Sequence, residues 1–143
     1  MDPLLKHAVL VDTSVWIDHL RARRNAPAAE LAGWLSDEPD RILVNEVVIT
    51  ELLRRVRNEA DAARLQMALD KLLQADPIGR DDWLLSAGVY RLCREAGLTI
   101  RSPMDCLIAS HAIRLQVPVL ASDRDFEAIA ACTPLRLYSP VAQ

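Results

Sequence analysis

Short, wholly apolar runs, spaced by helix-length segments, constrain this chain more than any other feature. Residues 8–11 (Ala-Val-Leu-Val) contain no polar side chain and stop at Asp12. Residues 42–44 and 117–121 repeat the pattern, the last with a proline near its start. A strand with one wet face alternates apolar and polar residues. These runs do not alternate, so both of their faces must be covered. The intervening segments carry helical spacing. A helix is predicted to begin after Thr13-Ser14, and residues 27–35 are alanine-rich and helix-favouring. Residues 47–57 place Val48, Leu52 and Val56 four apart, and residues 61–73 gather Leu65, Leu69, Leu72 and Leu73 on one side. Residues 81–95 end at Gly97, a helix-stopping glycine, and Ser102-Pro103 opens a helix to about Leu115. A short helix follows Ser122 and ends near Ala131. A brief strand at residues 77–78 and a last one at 135–138 complete the reading. The pattern predicts an α/β protein: three layers, helices on both faces of a parallel sheet of four to five strands. With 143 residues and no linker or repeat, one domain over 1–143 is expected.

Composition narrows the function. No apolar stretch approaches the ~20 residues that span a bilayer, and the N-terminus lacks the apolar core of a signal peptide. The three cysteines, Cys93, Cys106 and Cys132, are odd in number and widely spaced. They predict buried small side chains and a cytoplasmic, reducing setting. Seventeen Lys+Arg against twenty Asp+Glu give a net charge of −3. That balance speaks against a broad basic nucleic-acid surface. Four scattered glycines make neither a dinucleotide fingerprint nor a P-loop. His7, His19 and His111 are isolated, which speaks against zinc.

Four acids stand where open α/β sheets bind ligands, beyond the carboxyl ends of strands. Asp12 directly follows the first strand. Asp123 follows the 117–121 strand after one serine. Asp105 lies in the first turn of a helix, and Glu51 inside the helix after the second strand. If the first strand neighbours the 117–121 strand, Asp12 and Asp123 meet. Each acid also has an ordinary structural reading. Asp12, and Asp123 or Asp125, can cap helices. Ser102 and Asp105 have capping-box spacing. Glu51 can pair with Arg54 or Arg55 on a helix surface. Together, however, converging carboxylates repel one another unless a cation joins them. Hard oxygens without His or Cys suit Mg²⁺ or Mn²⁺.

Four segments around these acids resemble the motifs of PIN-domain ribonucleases, and more narrowly those of VapC-type toxins. The first runs from Val9 to Ile17 (VLVDTSVWI), the second is Ile49-Thr50-Glu51-Leu52-Leu53. The third is Ser102 to Ala109 (SPMDCLIA), and the fourth is Leu120 to Phe126 (LASDRDF). They occur in the family's order and span nearly the whole chain. The resemblance implies a Mg²⁺- or Mn²⁺-dependent endoribonuclease that hydrolyses RNA phosphodiester bonds. Asp12, Glu51, Asp105 and Asp123 would be its catalytic, metal-binding acids, with Asp125 the alternative in the fourth motif. Ser14, or Thr13 beside it, would orient Asp12 or a water. The resemblance further implies a VapB-like antitoxin, which would lay an apolar helix on the chain, and a homodimer. Leu20, Trp34, Leu35 and the leucines of 65–73 are candidates for the antitoxin groove, or simply core. Arg91, Arg94 and Arg101 precede Asp105 and could hold RNA phosphates.

Rival readings fit less well. A receiver-type signalling domain needs paired acids after the first strand and a lysine after the last, but Thr13-Ser14 follow Asp12 and the lysines are Lys6 and Lys71. A phosphatase of the haloacid-dehalogenase type needs an acid at position 14, where serine stands. A PIN nuclease of RNA processing without toxin function remains the alternative.

Overall fold

The computed structural model describes residues 2–140. Met1 and residues 141–143 of the expected domain lie outside the described residues. The three apolar runs are strands: β1 (Val9–Val11), β2 (Ile42–Val44) and β4 (Val119–Leu120). β3 (Leu73–Gln74) completes a sheet ordered β3-β2-β1-β4, with every pair parallel. Every residue of β1, β2 and β4 is buried, as their lack of alternation requires.

Seven α-helices are described: α1 (Thr13–Leu20), α2 (Ala26–Asp37), α3 (Glu46–Leu53), α4 (Glu59–Asp70), α5 (Arg80–Glu95), α6 (Pro103–Leu115) and α7 (Arg124–Cys132). α1 packs on α2 and α3, and α3 on α4; α5 packs on α6 and α7, and α6 on α7. The two groups form the outer layers of the expected three-layer α/β/α arrangement. All three asparagines of the chain start helices: Asn25, Asn45 and Asn58 each accept a backbone N–H of the first turn, at 2.9–3.0 Å. α5 ends where Gly97 takes φ +81°, a conformation that costs an L side chain strain.

Several boundaries differ from the sequence reading. The third strand is at Leu73–Gln74, not at 77–78. The leucine-rich helix ends at Asp70, and the freed backbone pairs with β2, Ala75 N–H donating to the Val44 carbonyl at 2.9 Å. Ile78 instead donates to Glu46 Oε2 at 2.9 Å. The α3 helix stops at Leu53, so Val56 lies outside it. The expected last strand is reduced to one parallel bridge, Val119 to Leu137. β4 is only two residues long and offers little edge to pair with. Cys93 and Cys106 are buried as expected, whereas Cys132 is partly exposed.

The strand order positions the site. From β1 the chain adds β2 and β3 on one side, then returns to place β4 on the other. The order therefore reverses between β1 and β4, the crevice where α/β sheets gather ligands.

Candidate active site

β1 delivers Asp12 to that crevice and β4 delivers Asp123. The Asp12 N–H still belongs to the sheet, donating to the Leu120 carbonyl at 2.9 Å. One carboxylate oxygen, Oδ2, caps α1 by accepting the Ser14 N–H at 3.0 Å. The same oxygen accepts the Ser14 hydroxyl at 2.6 Å. Ser14 Oγ in turn accepts the Ser122 N–H at 3.0 Å. One hydroxyl thus ties the end of β1 to the end of β4. Of the two residues proposed to orient Asp12, Ser14 is the one whose side chain hydrogen-bonds it. Thr13 instead donates its hydroxyl to Glu51 Oε1 at 3.1 Å, linking α1 to α3. Arg54 stands 4.0 Å from the other Glu51 oxygen.

The N-terminus of α6 brings in Asp105. The expected capping box is not formed: the Ser102 side chain makes no cap bond. Asp105 is instead buried, and its Oδ2 has no hydrogen-bond partner. An orphaned buried carboxylate oxygen is costly and needs an explanation. Its neighbours supply one: ligand atoms of Asp105, Asp123 and Asp125 lie within 4.8 Å of one another. Both acids of the fourth motif therefore belong to the cluster. Asp123 also caps α7, accepting the Asp125 N–H at 2.9 Å.

The electrostatics follow from this crowding. Burial pushes the Asp105 carboxyl up to about 8, and the charges of Asp12, Asp123, Asp125 and Glu51 add to it. Burial likewise lifts Asp12 to about 6, against the pull of its Ser14 hydrogen bonds, with a smaller upward contribution from Glu51. These oxygens fit a divalent metal. They are hard donors, they include an unpartnered buried atom, and neither His nor Cys belongs to the cluster. A cation of that kind relieves the repulsion that keeps protons on the acids.

Of the three arginines expected near phosphate, Arg101 reaches the acids. Its Nη2 lies 3.6 Å from Asp123 Oδ1 and its Nε 3.6 Å from Asp125 Oδ2. Among the described residues, Arg91 and Arg94 form no ion pair with the cluster; Arg94 lies 5.9 Å from the Tyr90 ring centroid. Sequence reasoning missed Ser122, which acts only through its backbone and so has no residue-type signal. It also missed that Arg101 contacts carboxylates. An apolar cavity of about 360 Å³ adjoins Glu51, lined by Val47, Met104, Leu107 and Trp83 among others.

The groove candidates divide. Trp34 and Leu69 are core, Leu35, Leu65 and Leu72 are half-buried, and Leu20 is 55% exposed. No described helix is long and apolar enough to cross a membrane.

Comparison with known proteins agrees with this geometry. The PIN domain family matches residues 9–131. A VapC ribonuclease of Mycobacterium bovis is 35% identical over 131 residues, covering 92% of this chain and 98% of the relative. Ribonuclease VapC11 of Mycobacterium tuberculosis matches to the same extent. Among solved structures, the DNA-bound VapBC of Salmonella typhimurium superposes with a TM-score of 0.69 at 15% identity, over 92% of this chain and 96% of that one. The sarcin-ricin loop cleaving toxin VapC20 of Mycobacterium tuberculosis gives 0.62 at 19% identity, over 90% and 99%. PIN nucleases generally use a divalent metal, and the acid cluster offers a place for one. Fold, motif order and these relatives together make the chain a PIN-domain protein of the VapC ribonuclease family.

Proposed function

We propose that this chain is a Mg²⁺- or Mn²⁺-dependent endoribonuclease and the toxin of a VapBC-type toxin–antitoxin pair, working in the cytoplasm as a single catalytic domain. The observation that carries the catalytic part is the buried, unpartnered oxygen of Asp105 beside Asp123 and Asp125. Asp12, Asp105 and Asp123 are the catalytic acids that hold the ion, with Asp125 as a further donor and Glu51 across the crevice. When bound, the ion supplies the positive charge that admits an anionic strand and stabilises charge developing on the cleaved phosphate. Ser14 fixes the rotamer of Asp12, and Thr13 fixes that of Glu51. Arg101, at the edge of the cluster, is the arginine placed to meet an RNA phosphate.

The toxin part is supported by relatives solved as VapBC toxin–antitoxin systems, such as VapBC-5 of Mycobacterium tuberculosis. A VapB-like antitoxin would cover exposed apolar side chains, for which Leu20 and Met67 are available, and a homodimer would complete the assembly.

Two experiments test the proposal. Purified wild type should cleave RNA with Mn²⁺ and stop with EDTA, and Asp12→Asn should be inactive. Cleavage that survives both treatments would overturn the metal-site reading. Inducing the chain in cells should arrest growth, and co-expressing the small gene beside it should restore growth. Unaffected growth with full nuclease activity would instead favour a PIN nuclease of RNA processing.

A further inference from the structure

Arg101 is held at the acid cluster in two separable ways. Its backbone N–H donates to Asp125 Oδ2 at 3.1 Å, which fixes Asp125 whatever the side chain does. Its guanidinium reaches the same oxygen from Nε at 3.6 Å and Asp123 Oδ1 from Nη2 at 3.6 Å. The side chain is 73% exposed, so packing does not dictate this placement. It neutralises the two outer acids of the cluster, while the inner one, Asp105, keeps its orphaned oxygen. A cation bound by all three acids shares two of its carboxylates, Asp123 and Asp125, with Arg101.

We propose that Arg101 is a resident counter-cation of this site. Its guanidinium occupies the mouth of the acid cluster and competes with the divalent ion for Asp123 and Asp125. The inference rests on the metal-site reading above and adds a brake on metal loading. An arginine that merely supported the fold, or helped to hold the ion, would weaken metal binding when removed. A competitor strengthens it, so the sign of the effect is diagnostic. Exposed ion pairs are weak, which limits the gain to about two- to fivefold in affinity. The gain should also shrink as salt screens the pairs.

The test is calorimetric titration of the full chain with Mn²⁺, without RNA, at low and high KCl. The proteins are wild type, Arg101→Ala, Arg101→Lys and Asp105→Asn. Arg101→Ala keeps the backbone hydrogen bond to Asp125 and should fold as wild type does. The expected result is Mn²⁺ binding that is about two- to fivefold tighter in Arg101→Ala at low salt, with a smaller gain at high salt. Arg101→Lys, which keeps the charge, should stay nearer wild type, and Asp105→Asn should lose binding. Equal or weaker binding by Arg101→Ala, with binding lost in Asp105→Asn, overturns the counter-cation and leaves the metal site standing. Undiminished binding by Asp105→Asn overturns the metal-site reading itself.

Discussion

At the residue scale, the site depends on single side chains that each do two things. Ser14 donates to Asp12 and accepts from Ser122, so its hydroxyl sets both the Asp12 rotamer and the spacing of the two strand ends. Ser14→Ala should leave the fold intact and lower metal affinity or cleavage rate about 10- to 100-fold, as loss of a ligand's outer partner commonly does. Metal titration together with RNA cleavage checks this; unchanged values for both would remove Ser14 from the site. Asp105 presents the opposite case. Its buried carboxyl destabilises the metal-free fold once ionised, so Asp105→Asn should melt higher than wild type above pH 8 in EDTA, while cleaving no RNA. On the proposed catalytic role of Asp105, function and stability conflict at this position. Much of the site was legible in the sequence, because its acids stand where apolar strands stop and helices start. Asp12 ends a strand and caps α1, and Asp123 caps α7, so their ordinary reading holds and leaves the proposed functional one open to them as well. Arg101 was not legible as a carboxylate partner, because it meets Asp123 and Asp125 across more than twenty residues of chain and a whole helix. No local spacing rule covers that distance.

At the element scale, α5 and α6 are tied by a partly buried polar network that composition could not reveal. Arg114 on α6 grips Asp82 on α5 with Nε at 2.7 Å and Nη2 at 3.0 Å, and reaches Asp76 with Nη1 at 2.8 Å. His111, fully buried, lies 2.7 Å from the Asp76 carbonyl at Nε2 and 3.1 Å from Asn45 Nδ2 at Nδ1. The carbonyl can only accept, so Nε2 carries the proton and Nδ1 accepts from Asn45. A lone histidine in the sequence is thus the joint between α6, the 76–79 turn and the residue that caps α3. The 76–78 backbone gives its polar atoms to the Glu46, His111 and Arg114 side chains instead of to a neighbouring strand, so the apolar signal at 77–78 misled. Burial alone would raise Asp82, but the Arg114 hydrogen bonds and the Gly79 N–H outweigh it and hold the carboxyl below the usual range. Asp82→Ala leaves Arg114 half-paired and should cost about 2–3 kcal/mol, less than for a fully enclosed pair because Arg114 keeps contact with water. Urea unfolding measures it. A loss within a few tenths of a kcal/mol would reduce the network to surface decoration. Gly97→Ala should cost about 1 kcal/mol through its positive φ. That change falls in the loop before Arg101, so it also tests whether the loop's geometry matters to metal binding.

At the scale of the whole molecule, the formal charge of −3 first speaks against a nucleic-acid substrate, and the site changes its meaning. Set Asp12, Glu51, Asp105 and Asp123 aside from the twenty acids, and the cations outnumber the rest by one. Much of the negative balance is therefore concentrated in one crevice, where it costs stability instead of repelling RNA generally. The pH dependence follows with a definite sign. Asp12 and Asp105 have folded values of about 6 and about 8, above the 3.8 of a free aspartate. Their protons stay on the folded chain longer than on the unfolded one. Their stabilising contribution is complete below pH 3.8 and is lost as pH rises through 6 and then 8. Asp82 acts in the other direction, held low by Arg114, and His111 is lowered by its burial. Those two contribute above their unfolded values and are lost in acid. From these groups the metal-free protein should therefore be most stable at about pH 4 and lose stability as pH rises towards 8. A divalent ion binds the deprotonated acids, so binding must release protons and grow stronger with pH. The melting temperature in EDTA should fall from pH 6 to pH 9, and the rise on adding Mn²⁺ should be larger at pH 8.5 than at pH 5.5. Thermal melts across that range, with Asp105→Asn as the control, decide it. A Mn²⁺ shift independent of pH, or present in full in the variant, would mean that the ion binds away from these acids.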